Sequence, residues 1–100
     1  MHTGLIMCAI IAAVSEEADQ MNDGLQIDSF ILHDAVQKLL GGGKVDDTKY
    51  GEAIKALNEM DLLKPCGGTQ WMWTEPTDPN SDGFKMVSHV RAVVNVNRER

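Results

Sequence analysis

Residues 46–73 read DDTKYGEAIKALNEMDLLKPCGGTQWMW, and two periods meet inside them. Tyr50, Ala53, Ile54, Leu57 and Met60 fall at i, i+3, i+4, i+7 and i+10, the spacing of one apolar stripe on an α-helix. Lys49, Glu52, Lys55 and Glu59 take the opposite face, where unlike charges a turn apart attract. Asp46-Asp47 opens this helix. DLLKPCGG closes it, with Leu62 and Leu63 turning back to the core and Pro65 blocking continuation.

Beyond that the period falls to two. TQWMWTE (69–75) and GFKMVSHV (83–90) flank the turn-rich PTDPNSDG, the pattern of two strands joined by a long loop. Trp71 and Trp73 then share one face of the first strand. Core packing explains such a pair, and so does an aromatic anchor at an interface. From Phe84 the even positions read Phe, Met, Ser, Val, Ala, Val, Val against Lys, Val, His, Arg, Val, Asn, Asn at the odd ones. We expect a long half-buried strand. A short helix capped by Ser88 is the alternative, because Val87, Val90 and Val94 also fit helical spacing.

Upstream, a first helix is expected from about Thr3, as its cap, to about Gln20. The apolar run Leu5 to Val14 has signal-peptide length, but no Lys or Arg precedes it, and it is too short to span a bilayer. A buried helix is the expectation, turning acidic at Glu16, Glu17 and Asp19. MNDGLQID (21–28) reads as a turn built on Asn22, Asp23 and Gly24. Asp28 or Ser29 caps a second helix, Phe30 to Leu40, whose stripe is Ile31, Leu32, Ala35, Val36, Leu39 and Leu40, ended by Gly41-Gly42-Gly43. The sum is one α+β domain over residues 1–100, with three helices in a core of about 3–63 and a hairpin and C-terminal segment over about 69–97.

Charge narrows the functions available. Nine Lys and Arg against fifteen Asp and Glu leave a net −6. Residues 1–84 hold five Lys and fourteen acids, whereas residues 85–100 hold four basic groups and one acid. Such a body repels phosphates, from whose neutralisation duplex binding draws most of its affinity. Its natural partner is a basic surface, including those by which other proteins grip nucleic acid.

Sites of chemistry are hard to find. Cys8 and Cys66 have no CxxC context and read as reduced thiols. His2, His33 and His89 share no ligand spacing with them, so no metal and no cofactor is expected. The triple glycine lacks the strand and the Lys-Ser/Thr of a phosphate loop. No serine sits in a nucleophile elbow and no carboxylates form an acid–base pair, so we expect no enzyme.

Three helices followed by a hairpin is the order of the winged helix-turn-helix family, and the span Ile27 to Val87, with YGEAIKALNEMDLL leading from third helix to hairpin, resembles it. The resemblance implies that Asp47 to Asp61 is the recognition helix, Trp71 to Met86 the wing, and Thr48, Lys49, Glu52 and Lys55 the base-reading face. The charges depart from that family. Residues 46–64 hold three Lys against five acids, and Glu75, Asp78 and Asp82 add more acid without a cation. Asp46 and Asp47 stand at the helix N-terminal turn, where phosphates would otherwise be welcomed. The shape is expected to be reused for docking on protein.

As a whole, the small acidic chain resembles the anti-CRISPR proteins of phages and mobile elements, in particular the inhibitors of the type I-F CRISPR-Cas surveillance complex. That resemblance implies a cytoplasmic phage protein in a bacterial host. It would dock where crRNA-guided subunits hold target DNA, without touching DNA or membrane itself. The candidate contacts are Glu16, Glu17, Asp19 and Asp23 as one group and Asp46, Asp47 and Glu52 as another, with Trp71 and Trp73 as anchors. The competing reading is a DNA-binding transcriptional regulator using Lys49, Lys55, Lys85, Arg91, Arg98 and Arg100. A phage-particle adaptor is a third.

Overall fold

The structure, a computed structural model, describes residues 2–21 and 24–98, with side chains described over 2–18 and 24–94. Its elements run α1 (Thr3–Glu17), β1 (Asp19–Met21), β2 (Gly24–Asp28), α2 (Ser29–Leu39), α3 (Asp47–Glu59), β3 (Leu63–Pro65), β4 (Gln70–Trp73) and α4 (Asp82–Arg98). The strands form one antiparallel sheet in the order β1-β2-β4-β3. The class is α+β.

α1 is the axis. Ile6, Ala9, Ile10, Ile11, Ala12, Ala13 and Val14 are all buried, so the helix is covered on nearly every side. α2, α3 and α4 pack around it. Leu32 and Val36 of α2, Ala53 and Leu57 of α3, and Val87 and Val90 of α4 complete the same core with Ile27, Leu63 and Trp73 of the sheet. An amphipathic helix buries one stripe; a helix apolar all round must be central.

Local chemistry sets the boundaries. Asp28 caps α2, its carboxylate accepting from the Phe30 amide at 2.9 Å. The same side chain accepts from Thr69 Oγ1 at 2.7 Å and Gln70 Nε2 at 3.2 Å, tying the start of α2 to the β3–β4 turn. The Thr69 bond first, and then the Phe30 amide, hold the Asp28 carboxyl below its usual range. α2 ends where Gly41 and Gly42 take φ of 100° and 82°, a region closed to most side chains. Leu62 and Leu63 follow α3 and are buried, as the sequence implies.

Three expectations change. α1 stops at Glu17, and His2 rather than Thr3 is its N-cap. Residues 24–28, expected as part of a turn, form β2, because Leu25 and Ile27 pair opposite Trp73 and Trp71 of β4. The C-terminal hairpin is not formed by 69–75 with 83–90. The hairpin is β3–β4, closed by Cys66–Thr69 with Gly67 and Gly68 at positive φ, and the segment expected as a strand from Phe84 is α4. The cap decides it. Ser81 Oγ accepts from the Phe84 amide at 3.1 Å and donates to the Asp78 carbonyl at 2.8 Å, starting a helix seven residues before Ser88. Val87 and Val90 then fall on the face buried against α1.

Candidate interaction surface

The acids picked out in the sequence do not form a single patch. Glu16 and Glu17 are exposed at the C-terminal end of α1. Glu52 lies at the other end, its carboxylate accepting from Thr3 Oγ1 at 3.2 Å. Thirteen residues of helix from Thr3 to Glu16 correspond to about 20 Å. Asp19 is on β1, at one edge of the sheet, with only its backbone described. Asp23 lies outside the described residues.

Asp46, Asp47 and Glu52 are all exposed, the first two at the start of α3 and Glu52 further along it. Asp46 is the N-cap, and its Oδ1 accepts from the Thr48 and Lys49 amides at 2.9 and 3.1 Å. That detail matters electrostatically. The amides at a helix start and the positive end of its dipole are what an anion seeks. Here the chain's own carboxylate already occupies them, with Asp47 beside it. Glu59 adds a fourth exposed acid against the exposed Lys49 and Lys55.

The tryptophans divide. Trp73 is 2 % exposed, part of the core, and has no surface to offer a partner. Trp71 is half-buried against the same core. The indole of Trp73 donates from Nε1 to Glu75 Oε1 at 2.8 Å. Glu75 in turn receives both terminal nitrogens of Arg91, Nη1 to Oε2 at 2.9 Å and Nη2 to Oε1. Arg91 Nε donates to Ser15 Oγ at 3.3 Å, so the guanidinium clamps α4 to α1 and to the segment after β4. In the sequence Glu75 counts only as one more loop acid, and Arg91 as a DNA contact of the competing regulator reading alone. Sixteen residues separate them, and no local spacing announces the pair.

The fork of Arg91, reinforced by the Trp73 indole, holds the Glu75 carboxyl below its usual range. A carboxyl lowered in the folded chain contributes stability that is fully present above its ordinary value of 4.5. The contribution disappears as pH falls through the folded value. Glu75→Gln is therefore expected to make the loss of melting temperature between about pH 5 and about pH 3 shallower. The change should be modest, because the side chains stay 37 % and 46 % exposed and water screens the pair. An acid limb as steep as the parent's would deny Glu75 this role.

Tyr50 and His33 meet edge to face, their centroids 4.7 Å apart. The Tyr50 hydroxyl is buried with no hydrogen-bond partner among the described residues, and burial pushes it up to about 12. It holds its proton at any ordinary pH. His33 Nδ1 lies 2.7 Å from Gln37 Nε2, which donates to it. Among the described residues no group of three or more His, Cys, Asp and Glu side chains converges as metal ligands do. Cys8 and Cys66 are free thiols. None of the described helices is long and apolar enough to cross a membrane.

One surface escaped sequence reading. α1, α2 and α4 leave between them an apolar groove of about 420 Å³, with Leu5, Leu39 and Val93 at its edges. The hint lay in the apolar run of α1, whose Leu5 stays half-exposed beside the buried Ile6. Comparison with protein-family models, curated proteins and solved structures finds no match to this chain.

Proposed function

We propose that this chain is a non-enzymatic protein inhibitor built on a winged helix-turn-helix plan. It docks through acidic residues on a basic, nucleic-acid-gripping surface of a CRISPR surveillance complex in the bacterial cytoplasm and blocks target DNA binding. Support for the plan comes from element order. The order is helix, two strands, two helices, a two-stranded hairpin and a closing helix; three helices followed by a hairpin is the order of that family, with α3 in the recognition position and β3–β4 as a short wing.

The observation that carries the function is the state of the α3 N-terminus. Its amides are taken by Asp46, and Asp47, Glu52 and Glu59 outnumber Lys49 and Lys55 on the exposed side. A helix arranged so disfavours a phosphate backbone and suits a cluster of Lys and Arg on a protein. The type I-F target class rests on the likeness of the whole chain to such inhibitors. The DNA-regulator reading loses Arg91, whose guanidinium is committed to Glu75 and Ser15.

Two measurements decide. In a gel shift with random duplex at low salt, no retardation is expected; appreciable retardation sinks the reading. Against a purified type I-F surveillance complex, Asp47→Lys with Glu52→Lys is expected to weaken binding at least about tenfold and to flatten its salt dependence. Unchanged affinity and unchanged salt dependence would remove α3 from the contact.

A further inference from the structure

We draw no further inference here: the strongest candidate, the apolar groove between α1, α2 and α4 edged by Leu5, Leu39 and Val93, carries nothing because nothing in the structure shows what covers it.

Discussion

Trp73→Ala is expected to remove about 3–5 kcal/mol of folding stability, the usual cost of deleting a buried aromatic. Trp73 lies in the inner strand β4, in register between Leu25 of β2 and Leu63 of β3, and is 2 % exposed. Its loss would open a cavity where sheet and helices meet and strip the Glu75–Arg91 clamp of its indole donor. Domains of this size have about 5–15 kcal/mol in total, so the variant would be partly unfolded in a cell. Trp73→Phe keeps most of the apolar area and should cost clearly less. Urea denaturation followed by circular dichroism, with Trp71 fluorescence as a second probe, measures both. A cost for Trp73→Ala under about 1 kcal/mol would show that Trp73 is not a core residue, since that is the range of sites away from buried packing.

Ile10→Ala should cost about 2–5 kcal/mol, set by how far the neighbours close over the missing atoms. Little closure is expected here. Ile10 is fully buried in a helix enclosed by α2, α3 and α4, and its neighbours Ile6, Ile11 and Val14 are themselves fixed between elements. Leu5→Ala provides the internal contrast. With half its side chain in water, Leu5 should cost under about 1 kcal/mol, although it deletes a comparable side chain. Equal destabilisation of the two variants in urea melts would contradict the central position of α1.

Some of this was legible along the chain. The periodicity of Tyr50, Ala53, Ile54, Leu57 and Met60 places a helix over Asp47–Asp61, and α3 spans Asp47–Glu59. The stripe from Ile31 to Leu40 places α2 almost as well, and Asp28 is one of the two residues expected to cap it. Those signals are local: a cap and a 3.6-residue stripe act within a turn or two. β2 was hidden because five residues beside Asn22, Asp23 and Gly24 carry too short a pattern to outweigh the breakers. Segment 84–97 was ambiguous because its valines satisfy periods of two and of nearly four together. Only the Ser81 cap and the docking on α1 select the helix.

The surface divided likewise. The excess of acid around α3 is a property of composition and needs no coordinates. Which carboxylates are committed does need them: Asp46 to its helix start, Glu52 to Thr3, Glu75 to Arg91. The separation of Glu16 and Glu17 from Glu52 by the length of α1 is equally invisible in the linear chain.

Taken alone, the sequence determined the acidic balance, the α+β class, the two amphipathic helices and their caps, because each depends on neighbours a few residues away. Tertiary structure decided the sheet, the identity of α4, the Trp73–Glu75–Arg91 clamp and the groove edged by Leu5, Leu39 and Val93. These join residues as far apart in the chain as Leu5 and Val93. What brings them together is the burial of α1 on most of its sides, a requirement of the whole chain that no short window contains.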